Sequence, residues 1–275
     1  LVLYWGQNSY GATHRGDSAN WERPLAYYCE SGLVDTVILS FMHVFGRGSA
    51  AQMDFSNHCA PAQTMPGSKL LDCPSLRDDV RRCQQAGVKV QLGLGGAAGE
   101  YGFSSVQDAE AFAQQLWDMA FAGNSPIRPF GATSLDGINL DIEGGSSAGY
   151  TSFAQQLRPL IITAAPQCPY PDAYMNEVLL NAEIDAAYVQ FYNNYCGVQA
   201  YETPNFNFGV WDEWARTRAK RRNAKVYLGV PASPTAANIG YVPPAKLRDI
   251  VLSVQQRYES FGGIMLWDTS QAFVN

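Results

Sequence analysis

Two carboxylates two residues apart, Asp141 and Glu143, are the groups in this chain whose type and spacing best suit moving a proton. They lie in L-D-G-I-N-L-D-I-E-G-G, residues 135–145, where Ile138, Leu140 and Ile142 alternate with Asn139, Asp141 and Glu143. A period of two is that of a β-strand, whose successive side chains point to opposite faces. One face is aliphatic and suits burial under helices. The other carries an amide and two carboxyls, a costly row in a core strand unless each group is hydrogen-bonded and used. Like charges side by side raise a carboxyl pKa, which keeps one proton available for general acid work. The alternative is an edge strand with a solvated polar face, but the continuous aliphatic face argues for a central position. Asp136 has the opposite parity, so it sits at the strand entrance or is realigned by a bulge near Gly137.

Strand-like runs recur on either side of this stretch: residues 1–5, 34–41, 88–94, 160–164, 186–192, 225–230 and 262–267. Helical patterns fall between them at 21–31, 76–86, 107–121, 150–157, 173–181, 210–221 and 244–260. Eight strands alternating with helices imply parallel βαβ units, and the count of eight favours a closed (β/α)8 TIM barrel, an α/β fold, over an open sheet. The whole chain, 1–275, reads as one domain. In such barrels the chemistry lies at the C-terminal strand ends. Here those ends carry Tyr4, Trp5, Phe41, Gly95, Gly96, Asp141, Glu143, Ala165, Gln190, Tyr192, Asn193 and Trp267. Rings and amides around two carboxyls suit a sugar, which offers C–H faces for stacking and hydroxyls for hydrogen bonds. Trp5, Phe41 and Trp267 could equally be core residues.

The 275 residues carry a net charge of −6 and no long basic run, which argues against nucleic acid as a partner. No apolar stretch approaches the roughly 20 residues of a membrane helix. The turn Gly95-Gly96-Ala97-Ala98-Gly99 lacks the Lys-Ser/Thr of a phosphate loop, and His14, His43 and His58 have no metal-ligand spacing. The reading is therefore of an enzyme without metal or cofactor. Six cysteines, at 29, 59, 73, 83, 168 and 196, fit either disulfides in a secreted protein or buried thiols in a cytosolic one. The long segment 46–71 reads as a loop that is functional or stapled.

D-G-I-N-L-D-I-E at 136–143 resembles the D-G-x-D-x-D-x-E signature of glycoside hydrolase family 18. Other fragments are similar to its plant and fungal class III, hevamine-like chitinases: Y-W-G-Q-N at 4–8, A-A-P-Q-C-P-Y-P-D at 164–172, Q-F-Y-N-N at 190–194 and G-G-I-M-L-W at 262–267. Y-N-N-Y-C and W-D-T-S-Q-A-F look closest to the fungal members. The resemblance implies a secreted, monomeric endochitinase that cleaves β-1,4-linked N-acetylglucosamine. Related possibilities are a non-catalytic relative, such as an inhibitor or carbohydrate-binding protein, and an enzyme acting on N-glycans. It also implies disulfides Cys29–Cys83, Cys59–Cys73 and Cys168–Cys196. Glu143 would be the general acid, Asp141 would orient the substrate acetamido group that attacks the anomeric carbon, and Tyr192 would hydrogen-bond that group. Trp267 would floor the site, with Tyr4, Phe41, Gly95, Gly96, Ala165, Gln190 and Asn193 around the sugar. Three departures stand out: Asn139 replaces the usual middle Asp, the link after residue 157 is short, and the chain stops eight residues after Trp267, short of a last barrel helix. Asn139 is expected to donate a hydrogen bond to Asp141 and lower its pKa.

Overall fold

The computed structural model describes residues 1–274. Eight parallel strands form a closed barrel: β1 (Val2–Trp5), β2 (Thr36–Phe45), β3 (Lys89–Gly96), β4 (Gly137–Ile142), β5 (Ile161–Ala164), β6 (Ala186–Gln190), β7 (Lys225–Pro231) and β8 (Phe261–Trp267). Each pairs with the next, and β1 pairs with both β2 and β8, so no barrel edge is left open. Helices such as Pro74–Gln85, Val106–Ala120 and Pro244–Arg257 pack outside. This is the (β/α)8 architecture the alternation implies.

The period-two pattern divides the core in two. A large outer cluster of Leu, Ile, Val and Phe fills the space between barrel and helices, and Ile138, Leu140 and Ile142 belong to it. A smaller inner cluster contains Val2, Tyr4, Ile38, Phe41, Tyr188 and Tyr192. Asn139 and Asp141 share that interior because β3 yields room: Gly93 stands opposite Asn139, and Gly95 opposite Asp141. Gly95 has φ +110°, and a Cβ there would lie 2.2 Å from the Asp141 carbonyl oxygen.

Several boundaries differ from the sequence reading. The expected helix at 21–31 is only Leu25–Cys29, because Pro24 disfavours helical backbone at the residue before it. β2 starts at Thr36 and runs on to Phe45. The segment 46–71 contains a short strand, Gln52–Met53, antiparallel to β2, and is stapled by Cys59–Cys73. Cys29–Cys83 and Cys168–Cys196 are also bonded, and no described cysteine is free. A short helix, Thr269–Ala272, follows β8. No described helix is long and apolar enough to cross a membrane.

Candidate active site

The C-terminal ends of the strands open into three adjoining cavities. The central one, about 130 Å³, is lined by Phe41, Ala97, Asp141, Glu143, Gln190, Tyr192, Asn193, Ala236 and Trp267. A second, about 380 Å³, shares Ala97 and Glu143 with it and adds Arg47, Glu100 and Tyr101. A third, about 270 Å³, shares Phe41, Ala97 and Trp267 and adds Gln7, His43 and Asp54. Glu143 lines the first two, and Ala97 lines all three. A larger cavity, about 470 Å³, lies elsewhere, between Ser68–Leu70 and Gln115–Ile127, and holds none of these groups.

Asp141 is buried, and its Oδ1 accepts from Gln190 Nε2 at 2.9 Å; the same amide nitrogen donates to the Ala165 carbonyl at 3.0 Å. Burial lifts the Asp141 carboxyl well above the usual range, and the charges of Glu143 and Asp172 push the same way. Glu143 is lifted too, first by burial and then by Asp172, while hydrogen bonds from Gln190 and Gln167 oppose the rise. The Glu143 charge raises Asp141, whereas burial and Asp172 raise Glu143; proton donation draws on the state with the proton on Glu143 and Asp141 ionised. Burial and the nearby carboxylates hold the Tyr192 phenol well above its ordinary pKa, so it remains an O–H donor. Trp267 stacks on Phe41 with centroids 6.0 Å apart and an 18° tilt, and Tyr4 meets Trp267 edge-on at 5.5 Å.

Of the residues singled out from sequence, Phe41, Asp141, Glu143, Gln190, Tyr192, Asn193 and Trp267 line the central cavity, and Gly96 accepts through its carbonyl from the Tyr101 hydroxyl at 2.7 Å. Tyr4, Gly95 and Ala165 lie behind the wall instead. Tyr4 donates its hydroxyl to Asn139 Oδ1 at 2.7 Å, and Ala165 accepts from Gln190 through its carbonyl while its N–H donates to the Leu140 carbonyl at 2.8 Å. Asp136 is at the strand entrance, where it binds Lys89, Gln84 and the Val90 N–H, remote from the chemistry. Trp5 is a core residue, donating to the Arg23 carbonyl. The expectation for Asn139 is corrected. Its amide nitrogen donates to Thr163 Oγ1 at 2.9 Å rather than to Asp141, and Asp141 is raised, not lowered. Thr163 in turn donates to Gln91 Oε1 at 2.7 Å, so Tyr4, Asn139, Thr163 and Gln91 form a neutral chain under the carboxyls.

Sequence reasoning gave no role to three supports. Tyr101 accepts the Glu143 N–H at 3.2 Å, from a two-residue strand without periodic signal. Gln167 and Asp172 lie in the fragment 164–172, where Asp172 accepts from the N–H groups of Gln167, Tyr174 and Met175 and so shapes the turn beside the carboxyls. Among the described residues no cluster of His, Cys, Asp or Glu could hold a metal ion.

The family model for glycosyl hydrolases family 18 matches residues 1–241. The chain is 47% identical over 280 residues to Chitinase 2 of Rhizopus oligosporus, covering 100% of this chain and 50% of that protein. It spans about half the length of the first fungal relatives it matches. Among solved structures, a chitinase of Ipomoea carnea superposes with TM-score 0.83 at 31% identity, covering 98% of this chain and 95% of that one. A xylanase and α-amylase inhibitor protein of Scadoxus multiflorus superposes with TM-score 0.82 at 36% identity, covering 99% and 94%.

Proposed function

We propose, on the premise that the chain belongs to glycosyl hydrolase family 18, that it is a single catalytic barrel hydrolysing β-1,4-linked N-acetylglucosamine polymers from within the chain. The observation that carries this reading is the grouping of Glu143, Asp141 and Tyr192 round one cavity walled by Trp267. Glu143 gives its proton to the glycosidic oxygen as the bond from that oxygen to the anomeric carbon breaks. The acetamido carbonyl oxygen of the same sugar attacks the anomeric carbon and forms a cyclic oxazolinium. This substrate-assisted route needs no carboxylate nucleophile. Asp141 accepts the acetamido N–H and balances the developing charge, and Tyr192 donates to the acetamido oxygen and holds it in line. Water, losing a proton to Glu143, then opens the ring from the opposite face, with net retention. Trp267 and Phe41 offer apolar faces to the sugar.

The three disulfides suit an oxidising compartment, which fits secretion and action on chitin outside the cell. Fold alone does not separate an enzyme from an inhibitor of the same architecture; the intact acid and its partners favour catalysis here. The test is product analysis by NMR with chitin oligomers and, separately, a high-mannose glycoprotein. Early β-anomeric chitooligosaccharides are expected. An initial α-product refutes the mechanism, release of N-glycans alone moves the substrate, and no product from either assigns the chain to the non-catalytic relatives.

A further inference from the structure

The loop leaving β7 crosses to the central cavity, and it is anchored at both ends. At its start the Ala232 N–H donates to the Trp267 carbonyl at 2.8 Å. The Ser233 and Thr235 hydroxyls both donate to Gln271 Oε1, the latter at 2.7 Å. At its far end Gly240, with φ +114°, lies on the main chain of Tyr192, where a Cβ would fall 2.5 Å from Tyr192 Cβ. Between the anchors Ala236 lines the cavity. The loop thus joins the two aromatic walls of the site.

Asn193 fixes the far anchor. Its N–H donates to the Ile239 carbonyl at 2.9 Å, and its Oδ1 accepts from the N–H groups of Asn238 at 2.9 Å and Ile239 at 3.3 Å. Two backbone donors on one side-chain oxygen settle which end of the amide faces the loop. Asn193 has φ 55°, a left-handed conformation that Asn and Asp adopt more readily than other non-glycine residues.

We propose that Asn193 is a positioning residue: its side-chain oxygen clamps residues 238–239 and, through Gly240, holds the Tyr192 phenol in place relative to Trp267. This rests on the reading of the cavity as a hydrolytic site. A direct sugar contact would use the other end of the amide, the Nδ2 donor. The two roles therefore part at one substitution. Asn193→Asp keeps the acceptor oxygen and loses the donor, while Asn193→Ala loses both.

The wild type and both variants are assayed on a soluble chitin oligomer, each at its own pH optimum, because the added charge of Asn193→Asp shifts the titration of Glu143. Backbone amide exchange at Asn238 and Ile239 is measured alongside. The expected result is a fall of about 10- to 100-fold in kcat for Asn193→Ala with little change in KM, the scale of a misplacement of about 1 Å. Asn193→Asp should lose markedly less kcat than Asn193→Ala. Amide protection should drop in the first and persist in the second. Gly240→Ala, which leaves Asn193 intact but crowds Tyr192, should lower kcat in the same way. The proposal is overturned if Asn193→Ala keeps kcat within about twofold, or if Asn193→Asp is as impaired as Asn193→Ala with a raised KM. A wild type that hydrolyses nothing overturns the proposed function and with it the catalytic part of the clamp, whereas an active wild type with insensitive variants overturns the clamp alone.

Discussion

Replacing Asn139 by Asp would place a third carboxyl in the row on β4 and test whether the row acts as one electrostatic unit. Asn139 is fully buried, accepts from Tyr4 and donates to Thr163, whose own proton is committed to Gln91. A carboxylate at 139 meets the Thr163 oxygen with no proton between them, and an unmade buried hydrogen bond costs about 1–3 kcal/mol, so a lower melting temperature is expected. The new charge lies about 6.6 Å along the strand from Asp141 and about 13 Å from Glu143, at about 3.3 Å per residue. At an effective dielectric constant of about 20, a unit charge 13 Å away is worth about 1.3 kcal/mol, or roughly one pKa unit. Glu143 must be protonated to act, so activity falls as pH rises through its pKa. Added negative charge favours the protonated form and raises that pKa. The alkaline limb of the kcat/KM profile should therefore move to higher pH by up to about one unit, with activity at the optimum similar or higher. Profiles of both proteins on a soluble chitin oligomer check this. An unmoved or lowered limb refutes electrostatic coupling along the strand.

Glu143→Gln keeps the side-chain shape and removes the transferable proton. It should fold normally, bind chitin oligomers by calorimetry, and lose about 10²–10⁴-fold in kcat; retention of a tenth of the wild-type rate would contradict the role given to Glu143. Asp172→Asn removes a charge that raises both carboxyls. Glu143 then releases its proton more readily, and the alkaline limb should move to lower pH. A shift the other way in the same assay would mean that Asp172 acts through its hydrogen bonds to the 167–175 turn and not through its charge.

The barrel was legible because eight strand-like runs alternate with seven helical stretches, and because aliphatic and polar residues divide cleanly by parity along 138–143. The same parity correctly set Asp136 apart from Asp141 and Glu143, leaving only the choice between strand entrance and bulge. Local pattern could not reveal partners far away in the chain. Asn139 looked like a donor to its neighbour Asp141, but its amide is claimed by Tyr4, 135 residues earlier, and by Thr163 on the adjacent strand. Nor could it separate Gly95 and Ala165, which make space or offer a carbonyl behind the wall, from Gln190 and Asn193, which face the cavity. Tyr101 and Ala236 sit in segments too short or irregular to carry a periodic signal, and only the closure of the barrel brings them to Glu143 and Trp267.

That closure also orders events during synthesis. β1 is made before every other strand of the barrel, yet one of its two hydrogen-bonding edges waits for β8. Ribosomes add about 5–20 residues per second, so this apolar strand, Val-Leu-Tyr-Trp, spends on the order of tens of seconds half-paired. An unpaired edge of that kind invites association with other chains. Trp267 ends the strand that finally covers it, so a nascent or truncated chain lacking β8 has an exposed edge and an unwalled cavity together. Release of the last strand protects the chain from aggregation and completes its site in a single step.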